Sequence, residues 1–228
     1  MFIWYDYYYL ILVIPAIILS LIAQSNVKRV YKQMSAVQNR RRITGAHAAY
    51  MVLSFAGLSN TVRIFSTSGE LSDHYDPRTN VIKLSERVYS GTSIASIGIA
   101  CHEAGHAIQY AQSYLPVKIR NSVLPVANFG SSAGFLIAIV GYFMGAQIIV
   151  DIGVVLFAFV VVFQLVTLPV EFNASRRAMK LITENNILYE DEIPGARKVL
   201  TAAAMTYVAS LFVSIMSLLR LILRTRRR

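Results

Sequence analysis

The chain has 228 residues, of which 55% are hydrophobic and 15% charged, with a formal net charge of +10 at pH 7. An apolar fraction of that size, gathered into long runs, excludes an ordinary soluble enzyme. The basic residues flank those runs, so anionic lipid headgroups, and not nucleic acid, are their expected partner.

Residues 1–23 read as a transmembrane anchor. Phe2 to Ala23 is long enough to cross hydrocarbon and lacks the basic start of a cleaved signal peptide. Trp4 and Tyr5 to Tyr9 form an aromatic belt at its outer end, and Pro15 is expected to kink it. Residues 24–122 are the one stretch able to form a water-facing domain. Arg40 to Arg42, then Thr44 and Gly45, precede an amphipathic helix through His47 and Met51 that ends near Gly57. Val62 to Ser66 alternates like a strand, and Asp76 to Asn80 make a turn into a second strand, Val81 to Leu84. This arrangement resembles the small sheet before the active-site helix of zincin-type peptidases, whose edge strand binds an extended substrate backbone. His47 reads as a surface or hydrogen-bonding residue, and so does His74 unless it serves the reaction.

Gly91, Thr92 and Ser93 supply a breaker and N-cap for a helix from Ile94 to Tyr110. Within it lies His102-Glu103-Ala104-Gly105-His106. Helix positions i and i+4 are about 40° apart, so both imidazoles can take adjacent corners of a zinc tetrahedron. Glu103 is then placed to hold a zinc-activated water and take its proton. The helix is apolar almost all round, and burying three polar side chains on it is costly unless a metal and partners satisfy them. Cys101 turns about 100° away from His102 and reads as a small buried hydrophobe. As the only cysteine it forms no intrachain disulfide.

Residues 123–170 read as a transmembrane hairpin, with spans at about Leu124 to Ala146 and Ile148 to Val170. Lys and Arg crowd the segment between the first and second spans, from Lys28 to Arg120, while the turn from Gly145 to Asp151 carries neither. The positive-inside rule therefore puts the N-terminus outside and residues 24–122 in the cytoplasm. Two histidines do not complete a catalytic zinc site. Glu171 is the expected third ligand, because two crossings return the chain to the side of His106. Asp151 falls on the opposite face, and Glu184 to Glu192 fall in a polar loop with Pro194 and Gly195. Residues 171–201 thus read as a cytoplasmic helix and loop, and 202–228 as a hydrophobic helix, Ala202 to Leu223, with a basic tail. If that helix spans, Arg224 and Arg226 to Arg228 end outside, against the charge rule; a re-entrant or interfacial helix keeps them inside. Thr206, Ser210, Ser214 and Ser217 give it a small polar stripe suited to close packing.

Three stretches carry a family resemblance: Asp73-His74-Tyr75-Asp76-Pro77-Arg78, Ser93 to Gln109 around the two histidines, and Phe163 to Ser175. Together they resemble the YugP-like neutral zinc metallopeptidases of bacterial membranes over nearly the whole chain, including Ala202 to Tyr207. More distantly, Glu171-Phe172-Asn173-Ala174-Ser175 is similar to the E-x-x-A-D motif of the HtpX and CAAX-protease branch, in which Glu is the third ligand. Ser175 stands where those enzymes have Asp, which leaves Asn173 or Ser175 to support a zinc ligand more weakly.

The resulting expectation is a mainly α-helical membrane protein with a small α+β zincin-like cytoplasmic metalloprotease domain. It is expected to be a multi-pass protein of a bacterial cell membrane, acting on a peptide or protein substrate. Zn2+ would be held by His102 Nε2, His106 Nε2 and Glu171, with Glu103 as general base and then acid, in the manner of gluzincins. Tyr207, His74 and Arg177 are the candidates to stabilise the oxyanion. Rival readings are a catalytically silent zinc scaffold, a polar relay in a transporter, and a site-2-type intramembrane protease. The last requires a carboxylate on the same side, and Asp151-Ile152-Gly153 is on the other.

Overall fold

The computed structural model describes residues 7–69 and 72–225; Trp4 and Tyr5 of the expected belt, and Arg226 to Arg228 of the tail, lie outside the described residues. The chain divides into two compact units, one of residues 1–24, 115–169 and 205–228, the other of residues 25–114 and 170–204.

Among the described residues, four helical stretches are long and apolar enough to cross a membrane: Tyr9–Ser35, Leu115–Met144, Gln147–Glu184 and Ile193–Thr225. They cover the four apolar runs of the sequence. The first is a π-helical turn, Tyr9–Val13, running into α1, Ile14–Ser35. Pro15 has no N–H to offer the Ile11 carbonyl, and the widened turn stands just before it. The second is α5 (Leu115–Phe129), a π-helical turn at Gly130–Gly134, and α6 (Phe135–Met144). It packs against α7 (Gln147–Glu184) along a seam of small residues. A Cβ on Gly153 would stand 2.4 Å from the Ala138 nitrogen, so a larger residue there would part the hairpin. The last is α8, Ile193–Thr225. Its Arg220 guanidinium lies 4.8 Å from the Tyr9 ring centroid and 5.4 Å from that of Phe135, which puts the end of α8 beside the start of the first helix.

The second unit holds a three-stranded sheet with order β1-β3-β2. Strand β1 (Arg63–Thr67) pairs parallel to β3 (Val81–Ser85), and β2 (His74–Asp76) pairs antiparallel to β3 with His74 opposite Lys83. β3 is central and buried on both faces, which is why Val81, Ile82 and Leu84 run apolar without alternation. The turn read at Asp76 to Asn80 is present: the Arg78 amide donates to Asp76 Oδ1 at 2.9 Å and the Thr79 hydroxyl to Oδ2 at 2.8 Å. The Thr79 hydroxyl, with the Arg78 amide, holds the Asp76 carboxyl below its ordinary pKa. β2 itself was not foreseen, since three residues are too few to show a period.

Helices α2 (Gly45–Phe55), α3 (Glu86–Tyr89) and α4 (Ile94–Ala111) complete this unit, with the ends of α1 and α7 and the start of α8. Thr44 caps α2 by accepting from the His47 amide, and Ser93 caps α4 by accepting from the Ser96 amide. The core gathers Leu53 of α2, Ile82 and Leu84 of β3, Ile97 of α4 and Ile182 of α7, all fully buried. Glu192, in the loop before α8, is buried because it accepts from the Arg40 and Tyr189 amides at 2.8 and 2.9 Å. Asn39, also fully buried, fastens the entry to α2 against the entry to α4. Its side-chain amide donates to the Ile43 and Thr92 carbonyls, and its Oδ1 accepts from the Ile43 amide at 3.1 Å.

Removing those bonds leaves buried main-chain groups unmatched, so Asn39→Leu should cost about 1–3 kcal/mol. Denaturant unfolding in detergent would measure it; a variant as stable as wild type would show that the loop is held by its backbone alone.

Candidate metal centre

Helix α4 brings His102, Gly105, His106 and Gln109 onto one face, at i, i+3, i+4 and i+7. Helix α7 answers with Glu171, Ala174, Ser175 and Ala178 in the same spacing. The two faces meet at Gly105, where a Cβ would stand 2.6 Å from the Ala174 carbonyl oxygen. No residue but glycine fits that approach without displacing a helix. Ala174 and Ala178 are fully buried, and the short side chains on both helices bring the backbones within reach of each other's donors.

Glu171 Oε2 lies 3.4 Å from His102 Nε2 and 3.6 Å from His106 Nε2. Donors on a tetrahedral zinc, with bonds of about 2.0–2.1 Å, stand roughly 3.3 Å apart. Their ligand atoms all lie within 4.8 Å of one another, and the set of two imidazoles and a carboxylate is one that zinc takes. The residues therefore fit the metal. The three side chains are mostly covered, with relative exposures of 16% for His102, 13% for His106 and 7% for Glu171. Burial disfavours a charged His106, yet the neighbouring carboxylates of Glu171 and Glu103 raise its pKa above the ordinary value. Glu103 is buried on the same helix.

Both imidazoles are held from behind. Ser175 Oγ is 3.1 Å from His102 Nδ1, the contact for which the sequence offered Ser175 or Asn173. His106 Nδ1 is 3.0 Å from Gln109 Oε1, a residue that sequence reading missed. Its signal was available in the i+3 spacing, but a glutamine on an apolar helix names no partner. Asn173 accepts from the Gln109 amide at 3.0 Å and from Arg177 Nε at 2.7 Å. Arg177 also donates to Gln112 Oε1 at 2.6 Å and lies over the Tyr114 ring, so two of its donors are engaged away from the metal.

The other expected residues are more dispersed. His74 is exposed on β2, with its Nδ1 2.7 Å from the Ser72 carbonyl oxygen. Tyr207 lies on α8 in the other unit, as does Asp151 on α7, whose carboxylate accepts from Gln147 at 2.9 Å. His47 is exposed on α2. Cys101 is fully buried, and burial pushes its thiol pKa up, so it is inert.

Two substitutions test the geometry. Glu171→Ala should weaken zinc binding by more than the 10 to 100-fold that outer contacts command, while Asp76→Ala, whose carboxylate serves the turn, should leave it unchanged. Gly105→Ala should also lower zinc affinity, with a loss of about 1–3 kcal/mol in stability from overpacking. Zinc retained after dialysis against graded chelator measures each, and wild-type retention in Glu171→Ala would remove it from the site.

The family described as "Putative neutral zinc metallopeptidase" matches residues 9–226. The chain is 42% identical over 215 residues to the "Putative membrane protease YugP" of Bacillus subtilis (strain 168), covering 94% of this chain and 95% of that protein. No solved structure matches it. Two imidazoles and a carboxylate at zinc spacing agree with that likeness, and the chain belongs to this family of membrane zinc metallopeptidases.

Proposed function

We propose that the protein is a multi-pass membrane peptidase of gluzincin type, hydrolysing peptide bonds with zinc held by His102 Nε2, His106 Nε2 and Glu171. The observation that carries this reading is the convergence of both Nε2 atoms on one Glu171 oxygen, at 3.4 and 3.6 Å. Bound there, zinc would supply Lewis acidity, polarising the scissile carbonyl and making water acidic enough to ionise near about pH 7. Glu103, buried and one residue from His102, takes the proton from the attacking water and delivers it to the leaving amine. Its carboxylate is not needed as a ligand, which favours an enzyme over a silent scaffold. His102 and His106 present their Nε2 lone pairs, and Ser175 and Gln109 keep the rings in place.

The substrate backbone adds in extended form to the outer edge of β2. That strand is at the margin of the sheet, and its Tyr75 stacks edge-on with Tyr110 of α4 at 5.5 Å. Burial holds the Tyr75 hydroxyl pKa above its ordinary value, so it stays a hydrogen-bond donor, here to Asn80 Oδ1.

The site faces the cytoplasm. Lys28, Arg29 and Lys32 follow the first apolar run, and Arg176, Arg177 and Lys180 follow the third, which by the positive-inside rule are cytoplasmic ends. The contact of Arg220 with Tyr9 supports a spanning α8 that ends outside with the N-terminus. The hydrophobic length of α8 outweighs its basic tail.

Glu103→Gln should retain about one zinc per chain and lose hydrolysis of an unfolded membrane-protein substrate by at least about 10³-fold. Undiminished turnover of the purified variant would remove Glu103 from the mechanism. Single cysteines near Arg41 should label from the cytoplasm, and those near Gln147 and after Arg224 from outside. Labelling of positions 41 and 147 from one side would overturn the topology.

A further inference from the structure

We infer that Gln109 is the positioning residue that fixes which ring nitrogen of His106 carries the proton, and that its own orientation is dictated by Arg177. The inference rests on the zinc reading above for its consequence, though not for its geometry.

Arg177 has no freedom of role. Its Nε can only donate, and it does so to Asn173 at 2.7 Å, so the Asn173 atom there is the carbonyl oxygen. The same oxygen is 3.0 Å from Gln109, which must therefore turn its NH2 toward it. A second acceptor on that side makes the same demand: the Val170 main-chain carbonyl receives the Gln109 amide at 2.7 Å. With both N–H bonds spent, Oε1 is the atom left at 3.0 Å from His106 Nδ1. An amide oxygen only accepts. Nδ1 must carry the hydrogen, and Nε2 keeps its lone pair, aimed at the point 3.6 Å from Glu171 Oε2 where the metal belongs.

Gln109 is fully buried, so no water takes over the contact. His102 is held differently. Its Nδ1 faces the Ser175 hydroxyl, which donates or accepts equally well and so selects neither tautomer. One ligand is thus preset for metal while the other adapts, and the presetting is passed from Arg177 through two amides that leave α7 and enter α4.

The test uses the full chain in detergent, labelled with 15N at histidine, together with zinc affinity from competition with a chelator of known strength. Metal-free wild type at alkaline pH should show a protonated Nδ1 on His106. Gln109→Met keeps the volume and removes the acceptor; it should bind zinc about 10 to 100-fold more weakly and, metal-free at alkaline pH, shift the His106 proton from Nδ1 toward Nε2. Arg177→Met touches neither His106 nor Gln109, yet frees Asn173 and Gln109 to flip, and should lower affinity in the same direction by a smaller factor. A wild type with the proton on His106 Nε2 would overturn the proposal. So would a Gln109→Met variant that loses thermal stability but keeps wild-type zinc affinity and Nδ1 protonation, the behaviour of a merely structural residue. Should wild type bind no zinc, the zinc reading fails by itself. The metal-free tautomer still decides, since Nδ1–H sustains the Gln109 assignment and Nε2–H refutes it. If Gln109→Met does not fold, the wild-type spectrum and the zinc affinity of Arg177→Met decide between the same two outcomes.

Discussion

The distance between two helix backbones governs this structure. A carboxylate side chain is short, and Glu171 reaches the two imidazoles only because α7 approaches α4 until the Ala174 carbonyl stands where a Cβ of residue 105 would be. Of the two residues between Glu103 and His106, Ala104 is fully buried in the core and Gly105 makes the approach possible. The motif is therefore a packing statement as well as a chemical one. Ala174 and Ala178 do the same on the opposing helix, and a single small-residue face on each side sets both the crossing and the donor geometry.

Such a seam would ordinarily exclude polar groups, and here it contains a continuous set of them. Gln109, Glu171 and Glu103 are all buried, with Asn173, Ser175 and Arg177 partly so. In a low-dielectric interior, hydrogen bonds of this kind strengthen one another, while an unmatched member is expensive. The network avoids that expense by anchoring amides and an imidazole, whose orientation or tautomer adjusts, on a guanidinium that only donates, so that each donor meets an acceptor. The partners behind both histidines are neutral. A carboxylate in those positions raises the basicity of a metal-bound imidazole; serine and glutamine would leave more of the positive charge on a metal held there.

Local features were legible in the sequence, and features that need two distant segments were less so. The apolar runs announced the spans because length and composition suffice. His102 and His106 announced a shared face because helical periodicity is fixed, and Ser93 announced the start of α4 because only a short polar side chain caps that position well. β2 was hidden, being three residues long and defined by its pairing with β3. So was the parallel pairing of β1 with β3, which requires the chain to leave and return on the same side. Gln109 was hidden for a similar reason: its meaning lies in the Val170 carbonyl and the Asn173 side chain, which belong to a helix encoded far downstream. The fate of α8 was ambiguous because its hydrophobic length and its basic tail pull opposite ways, and only the placement of Arg220 over Tyr9 favours one of them.

The order of the donors along the chain has a consequence for biogenesis. His102, Glu103 and His106 are synthesised before α5, α6 and the apolar part of α7, and Glu171 only after them. On the function proposed above, a nascent or truncated chain that stops short of Glu171 carries two imidazoles and Glu103 without the carboxylate that completes the ligand set. Such a fragment would hold metal poorly and would lack the means of hydrolysis. On that function the order of synthesis is a safeguard against premature proteolysis, because the ligand set is complete only when the second half of the hairpin has been made and its far end has docked on α4.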